Sequence, residues 1–200
     1  MPQNELSRSS KSRPVLFLDR DGVIVREVDG GAAQSPEALA LMPEIVEVLK
    51  HARDYGYLLV VASNQPDFAL GNITLARRDE IEHSFVKLLV SAGVALDRIY
   101  YCYHHENAVH PSLRVACGCR KPKPGLLFQA EQELSIDLAS SYLLGDRASD
   151  IRAGVDAGVH TILLDPHGKQ QAYLHEHKVQ PEYRIRVLGE AISLLSEQRV

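Results

Sequence analysis

The sequence VLFLDRDG at residues 15–22 decides the fold of this chain. Four apolar residues in a row, ended by turn residues, predict a short strand that is buried on both faces of a parallel sheet. Asp19 and Asp21 then stand where this strand runs into a loop, and Gly22 allows a sharp turn there. Ligands of open α/β sheets bind beyond the carboxyl ends of the strands, so two carboxylates at this point indicate a metal, a nucleophile or both.

The same four residues allow a simpler interpretation. Asp-x-Asp-Gly is a common turn sequence, and a plain solvated turn remains open from these residues alone. A calcium-binding loop is excluded, because that motif needs a glutamate six residues after its glycine, where this chain has Val28. The choice between a turn and a functional site therefore depends on the rest of the chain.

Composition narrows the class of protein. The 200 residues suffice for one domain with a sizeable core, and the net charge of −4 argues against a nucleic-acid partner. No apolar run approaches the ~20 residues of a membrane-spanning helix, so no membrane partner is expected. Residues 1–13 are polar and lack a secretion signal, which predicts a flexible N-terminal tail before a single domain at residues 14–200. Three cysteines cannot all pair within the chain, which favours the reducing cytoplasm.

Strand and helix patterns alternate along the chain. Helices are predicted from Pro43, from Thr74 as N-cap, from Pro124, and after Arg147, with a last one at residues 188–197. Residues 25–42 are polar and contain glycine, as expected of a loop or flap. Further strands are predicted at residues 57–62, 98–101, 141–144, 161–164 and 183–185. This alternation predicts an α/β fold, namely one three-layer Rossmann-like domain with a mainly parallel sheet.

Four groups of polar residues follow predicted strands or adjoin them, and in a parallel sheet such loops share one edge. Three carboxylates among them suit Mg²⁺, which prefers oxygen ligands. A lysine and a hydroxyl suit a phosphoryl group. The groups are Asp19/Asp21, Ser63/Asn64, Arg120/Lys121 and Asp146/Asp150.

These motifs, in this order and spacing, resemble the haloacid dehalogenase-like phosphohydrolases over residues 14–188. That family has Asp-x-Asp after the first strand, Ser or Thr after the second, a later Lys, and Gly-Asp with a further Asp after the fourth. The resemblance implies a Mg²⁺-dependent phosphomonoester hydrolase without a cap domain, since the chain leaves no room for one. The substrate would be a small phosphorylated metabolite.

The resemblance also implies a role for each motif residue. Asp19 would attack phosphorus and form an aspartyl-phosphate, and Asp21 would act as general acid and base. Mg²⁺ would be held by the Asp19 and Asp146 carboxylates and the Asp21 backbone carbonyl. Ser63 would donate to the phosphoryl group, and Lys121 would balance its charge.

Other residues are predicted to support these roles. Asp150 would act behind the metal, through water or by orienting the lysine. Asn64 is grouped with Ser63 at the phosphate-binding edge. Arg120 and Arg147 are candidates for a second, distal phosphate, because the guanidinium fork matches phosphate oxygens.

A separate cluster predicts a structural zinc site in a loop at residues 102–119. Cys-x-His followed by Cys-x-Cys supplies the four ligands of a closed tetrahedral site and uses every cysteine of the chain. Small buried apolar cysteines are the alternative, but this polar loop offers little core for them to join. The predicted ligands are Cys102, His104, Cys117 and Cys119, with His105 or His110 as possible substitutes for His104.

The zinc loop also resembles one branch of the family. Cys-x-His, Cys-x-Cys and a following Arg120-Lys121-Pro122 are typical of D-glycero-D-manno-heptose 1,7-bisphosphate and histidinol-phosphate phosphatases. The length of the loop favours the heptose enzymes, which implies hydrolysis at C7, with histidinol phosphate or another sugar phosphate as the alternative. The chain departs from that branch at Asp67 and at Leu70, where an arginine is expected. An added anion and a missing cation raise the cost of binding a second phosphate.

Two other classes of protein fit less well. A non-catalytic, zinc-stabilised binding protein would be expected to lose Asp19 or Asp21, and both are present. A receiver domain of a signalling system also has an acidic edge with a hydroxyl and a lysine. Such a domain has about 120 residues and no zinc loop. The sequence therefore predicts an enzyme, with a monomer favoured.

Overall fold

A sheet of six parallel strands forms the centre of the protein, whose computed structural model describes residues 12–196. The strand order is β3-β2-β1-β4-β5-β6, so the chain winds outward from β1 in both directions. The strands are β1 (Val15–Leu18), β2 (Leu58–Asn64), β3 (Arg98–Cys102), β4 (Tyr142–Gly145), β5 (His160–Leu164) and β6 (Tyr183–Ile185).

Helices cover both faces of this sheet. Leu16 and Leu18 face α1, α3 and α7, while Val15 and Phe17 face α4 and α5. All four residues of β1 are fully buried, as their apolar run requires. The helices are α1 (Ile45–Asp54), α2 (Asp67–Leu70), α3 (Leu75–Ser91), α4 (Gly125–Leu134), α5 (Ala148–Ala157), α6 (Gln171–Glu176) and α7 (Ala191–Ser196), with 3₁₀ turns at Pro36–Ala38, Pro111–Leu113 and Leu188–Glu190.

The predicted fold class is confirmed, and the sheet is parallel throughout. Thr74 caps α3 by accepting a hydrogen bond from the Arg77 amide. Several element bounds shift by one or two residues from the sequence prediction, and two short helices are added. The strand β2 continues to Asn64, because its last residues pair with β3. The helices α2 and α6 had not been predicted, since each is too short to show a helical repeat.

The predictions for the two chain ends fall partly outside the described residues. Most of the predicted N-terminal tail, residues 1–11, lies outside the described residues, as does residue 197 of the predicted last helix. In the described part, that last segment begins with the 3₁₀ turn Leu188–Glu190 and continues as α7. Across residues 12–196, the helices are all too short or too polar to cross a bilayer.

The predicted flap follows β1 and returns over the edge of the sheet. Val28 and Gly31 exchange two backbone hydrogen bonds, of 2.9 and 3.0 Å, around a two-residue turn. Asp29 and Gly30 occupy this turn with φ angles of 51° and 77°, as expected of an Asp-Gly hairpin turn. The tip of the flap is thus a small hairpin, and the flap forms one wall of a cleft at the carboxyl ends of the strands.

Candidate active site and metal centres

The carboxylate of Asp19 lies at the end of the central strand β1, and it contacts a buried lysine. The Nζ atom of Lys121 lies 2.9 Å from Asp19 Oδ1 and 2.5 Å from Asp150 Oδ1. Lys121 reaches this point from the end of the zinc loop, and Asp150 from the first turn of α5. All three side chains are nearly inaccessible to solvent. The zinc loop therefore places a cation, and α5 a carboxylate, at the end of β1.

The pKa values of this triad follow from burial and from mutual attraction. Burial alone would raise the pKa of Asp19, but the charge of Lys121 and hydrogen bonds from Ser63 and Lys121 lower it overall. Burial would lower the pKa of Lys121, and the two carboxylates outweigh this effect and raise it. Asp19 is therefore an anion and Lys121 a cation at neutral pH.

Asp146, at the end of β4, carries the most perturbed carboxylate of the site. Burial raises its pKa to about 8, helped by the nearby negative charges of Asp19 and Asp150. Its Oδ1 atom is buried and accepts no hydrogen bond from the described residues. One oxygen from each of Asp19, Asp146 and Asp150 lies within 4.8 Å of the others. An unsatisfied oxygen among crowded carboxylates is the arrangement that a divalent cation stabilises.

Gly22 makes room for this group of carboxylates. It has a φ of 82°, and a Cβ atom built on it would lie 2.3 Å from Asp146 Oδ2. Glycine is therefore required both by the backbone conformation and by the close approach of Asp146. The glycine that ends the opening motif thus permits β1 and β4 to bring their acids together.

Asp21 is held by two residues that sequence reasoning did not single out. Arg20 donates to both of its carboxylate oxygens, at 3.1 and 3.2 Å, and Gln65 donates to Oδ2 at 2.6 Å. Arg20 is buried, with its guanidinium carbon 5.9 Å from the ring centroid of Phe85 and 5.6 Å from that of Tyr101. A charge that the fold buries needs a partner, and Asp21 provides it for Arg20.

Ser63 and Asn64 end β2, and they serve different purposes. The Ser63 hydroxyl accepts a hydrogen bond of 3.0 Å from Gln65 Nε2 beside Asp19. The Asn64 amide instead donates to the Lys121 carbonyl and accepts from the Lys121 N–H, each at 3.0 Å. Asn64, predicted among the phosphate ligands, therefore has both polar atoms of its amide engaged with the lysine backbone.

A cleft of about 630 Å³ lies beneath the flap. It is lined by Asp19, Asp21, Ser63, Lys121 and Asp150, whereas Asp146 borders a neighbouring cavity. Both predicted arginines reach it, but each is already bonded elsewhere. Arg120 donates to the His104 carbonyl at 3.1 Å, and Arg147 forms an ion pair with Glu27 at the base of the flap. The floor of the cleft therefore contains carboxylates and a lysine, and its wall contains two further cations, Arg120 and Arg147.

The four predicted zinc ligands come together at a second centre. Ligand atoms of Cys102, His104, Cys117 and Cys119 all lie within 4.8 Å of one another. The Sγ atoms of Cys102 and Cys117 are 3.7 Å apart, and His104 Nδ1 is 3.3 Å from Cys119 Sγ. Ligands ~2.3 Å from a zinc ion in a tetrahedron lie ~3.8 Å apart, so the cluster has a suitable size.

The two alternative histidines are engaged differently. His105 Nδ1 accepts a hydrogen bond from the Asn107 amide, and the ring of His110 stacks on Phe68 with centroids 4.6 Å apart. Neither belongs to the ligand cluster found among the described residues. The geometry thus favours His104.

Comparisons with known proteins agree with this geometry. A family model described as HAD-hydrolase-like matches residues 118–191, which contain Lys121, Asp146 and Asp150. A Salmonella typhi protein is 38% identical over 160 residues, which cover 80% of this chain and 84% of that protein. The chain therefore belongs to the haloacid dehalogenase-like phosphatases, and the resemblance seen in its sequence motifs is confirmed.

The relatives also specify a branch of this family. The Salmonella typhi protein is named D-glycero-beta-D-manno-heptose-1,7-bisphosphate 7-phosphatase. An Escherichia coli K12 protein of the same name is 38% identical, with 80% of this chain and 83% of that protein covered. The crystal structure of D,D-heptose 1,7-bisphosphate phosphatase from B. bronchiseptica, complexed with magnesium and phosphate, has a TM-score of 0.75 and 26% identity. It covers 91% of this chain and 97% of its own.

Proposed function

We propose that this protein removes the 7-phosphate of D-glycero-β-D-manno-heptose 1,7-bisphosphate. The observation that carries this proposal is the meeting of Asp19 and Lys121 at the floor of the cleft, with a carboxylate oxygen of Asp146 within 4.8 Å of one from Asp19. The names of relatives that are 35–38% identical over about four fifths of the chain supply the substrate. The cleft volume of about 630 Å³ is within the usual size range of small-molecule sites.

We propose Mg²⁺ as the catalytic cation. The donor set fits it, because hard carboxylate oxygens are crowded together and one of them lacks a hydrogen-bond donor. The Asp19 and Asp146 carboxylates and the Asp21 carbonyl would hold it, with Asp150 behind them. When bound, the cation would supply positive charge that lets an anionic phosphate approach an anionic carboxylate.

In the first chemical step, a carboxylate oxygen of Asp19 attacks phosphorus. An O–P bond forms to Asp19 as the P–O bond to C7 of the sugar breaks, and Asp21 gives its proton to the departing sugar oxygen. The ammonium of Lys121 and the hydroxyl of Ser63 stabilise negative charge on the transferring group. The products of this step are the free sugar hydroxyl and an aspartyl-phosphate.

In the second step, water hydrolyses the aspartyl-phosphate. Asp21 accepts a proton from water as the water oxygen bonds to phosphorus and the bond to Asp19 breaks. Inorganic phosphate leaves, and both aspartates return to their starting states. Gln65 and Arg20, which donate to Asp21, keep its carboxyl group in place through both steps.

The second metal would be structural. Three thiolates and an imidazole form a closed tetrahedral set for Zn²⁺, with no position for a substrate. We also propose a cytoplasmic location, because a reducing compartment keeps three cysteines available as zinc ligands. We further propose that residues 14–200 act as one catalytic domain, and that the protein works as a monomer in carbohydrate metabolism.

A phosphate-release assay tests the proposal. Heptose 1,7-bisphosphate should be hydrolysed in the presence of Mg²⁺, with loss of the 7-phosphate followed by ³¹P NMR. Asp19→Asn should keep a normal circular dichroism spectrum and lose at least about 10³-fold in kcat, because a neutral amide is a poor nucleophile. Substantial turnover by this variant would contradict the role of Asp19.

Histidinol phosphate is the second candidate substrate. Asp67 places a carboxylate in the cleft, and a carboxylate suits the ammonium group of that compound. The same assay compares the two esters directly. A kcat/KM for histidinol phosphate well above that for the heptose ester would replace the proposed substrate.

A further inference from the structure

The side chain of Asp67 enters the substrate cleft from α2, outside the catalytic floor. Its Oδ1 atom accepts two hydrogen bonds, at 2.8 Å from Asn72 Nδ2 and at 3.3 Å from Gln34 Nε2 in the flap. Its Oδ2 atom accepts none from the described residues. One carboxylate oxygen of Asp67 is therefore hydrogen-bonded, and the other is available to a ligand. Asp67 lines the cleft together with Asp19, Lys121 and the flap.

The helix that carries Asp67 is fixed from two sides. The Ala69 carbonyl accepts a hydrogen bond of 2.7 Å from the Val109 amide in the zinc loop. Phe68 stacks on His110 of the same loop, and the guanidinium carbon of Arg78 in α3 lies 5.6 Å from the Phe68 ring centroid. A four-residue helix has little stability of its own, so these contacts are what hold α2 in place.

The position of Asp67 decides what it can bind. Negative charge close to a substrate phosphate is unfavourable, whereas a sugar hydroxyl can donate to a carboxylate oxygen. The cations that line the cleft, Arg120, Lys121 and Arg147, are separate side chains. The cleft therefore offers distinct partners for phosphate groups and for hydroxyl groups.

We propose that Asp67 is a specificity-determining residue that accepts a hydrogen bond from the hydroxyl groups of a polyhydroxylated phosphate ester. Asn72 and Gln34 hold its Oδ1 atom, which leaves Oδ2 available to a substrate hydroxyl, and the zinc loop holds α2 in place. This inference rests on the proposed function and adds to it the residue that recognises the hydroxyl groups of the sugar. The zinc loop then has two roles. Its end positions Lys121, and its middle contacts the helix α2, which carries Asp67.

The test compares two phosphate esters. p-Nitrophenyl phosphate carries no hydroxyl group beyond its phosphate, and D-glycero-D-manno-heptose 7-phosphate carries several. Asp67→Ala should raise the KM for the heptose ester about tenfold, as expected from the loss of one charge-assisted hydrogen bond. It should leave kcat within about twofold and should not raise the KM for p-nitrophenyl phosphate. An unchanged KM for the heptose ester, or an equal rise for both esters, would overturn the inference.

Two further variants distinguish a substrate-binding role of Asp67 from a purely structural one. Asp67→Asn should recover much of the lost affinity, because a hydroxyl group can either donate to the new amide or accept from it. If Asp67→Asn recovers none of the affinity, and if the KM rises only for histidinol phosphate, then Asp67 binds an ammonium and not a hydroxyl. Asn72→Ala removes a support of Asp67 and keeps its carboxylate, so it should raise the KM less than Asp67→Ala does. If Asn72→Ala reproduces the full effect, Asp67 has only a structural role.

The wild-type enzyme provides the remaining control. If it hydrolyses the heptose esters no better than p-nitrophenyl phosphate, the proposed substrate fails, and the role of Asp67 fails with it. If it prefers the heptose esters and Asp67→Ala keeps that preference, only the role of Asp67 fails.

Discussion

The side chain of Asn64 and the backbone of Lys121 are joined by two hydrogen bonds of 3.0 Å, one in each direction. The two residues are 57 positions apart, and this contact connects the end of β2 to the end of the zinc loop. It fixes the peptide group of Lys121 while the Lys121 ammonium lies between Asp19 and Asp150. An uncharged amide therefore anchors the backbone from which the buried ammonium extends.

Removing this amide should therefore impair catalysis. We expect Asn64→Ala to leave the fold intact and to lower kcat by about 10- to 100-fold, since two hydrogen bonds worth ~1 kcal/mol or more each are lost. The measurement is steady-state hydrolysis of p-nitrophenyl phosphate. Asn72→Ala, which alters an asparagine of the same cleft away from Lys121, is the control and should keep kcat nearly unchanged. Equal kcat values for Asn64→Ala and wild type would contradict the positioning role.

Lys121 should matter for stability as well as for activity. Lys121→Ala leaves the buried carboxylates of Asp19 and Asp150 without their cation, and breaking such a group costs about 3–5 kcal/mol in the free energy of unfolding. Urea denaturation of the metal-free protein measures this cost. Lys123→Ala is the matched control, because Lys123 is exposed and its ammonium donates to a backbone carbonyl, that of Cys117, and not to the buried carboxylates. Similar unfolding midpoints for the two variants would rule out the predicted coupling.

The zinc site can be tested with two neighbouring histidines. We expect about one zinc per chain by elemental analysis of the wild type, as a closed set of three cysteines and one histidine binds one ion. His104→Ala should lose zinc and lower the melting temperature, because metal affinity contributes directly to folding. His105→Ala should keep both. Zinc loss in His105→Ala together with retention in His104→Ala would reverse the ligand assignment.

The raised pKa of Asp146 makes Mg²⁺ binding dependent on pH. With a pKa of about 8, Asp146 holds a proton at neutral pH in the metal-free protein, and Mg²⁺ must displace it. Mg²⁺ affinity should therefore increase as the pH rises from 6 to 8. Calorimetry in buffers of different ionisation enthalpy should detect proton release on binding. A Mg²⁺ affinity that does not change over this range would contradict the assignment.

Asp146 also makes the free energy of unfolding of the metal-free protein depend on pH. An aspartate in the unfolded chain has a pKa of about 4, so between about pH 4 and pH 8 the folded, metal-free protein binds more protons through Asp146 than the unfolded chain does. This contribution to stability is present at low pH and is lost as the pH rises through 8. Asp146→Asn should remove it, which unfolding curves at pH 5 and pH 8 would detect.

Local patterns were sufficient to predict the core of this fold. The strand β1 and the acids after it are adjacent in sequence, so an apolar run and a strand end specify them without further knowledge. The zinc cluster was predicted by spacing, because Cys and His in close pairs have few other uses in a polar loop. The catalytic and ligand roles of these residues stay predictions until the experiments above are done.

Other features depend on contacts between distant segments, which a single sequence does not display. Whether Asn64 faces the cleft or Lys121 is decided by where the zinc loop ends in space. The burial of Arg20 depends on Phe85 and Tyr101, which come from α3 and β3. The helix α2 forms because Val109 and His110 pack on it, and its four residues carry no periodic signal.

The strand order has a consequence for synthesis on the ribosome. β1 emerges well before one of its two neighbours, β4, which begins only at Tyr142. Until that segment has been translated, a nascent chain exposes an unpaired and wholly apolar strand edge, which invites aggregation. Fragments that end before β4 should therefore be insoluble, and chaperone capture should be strongest for ribosomes stalled in this interval.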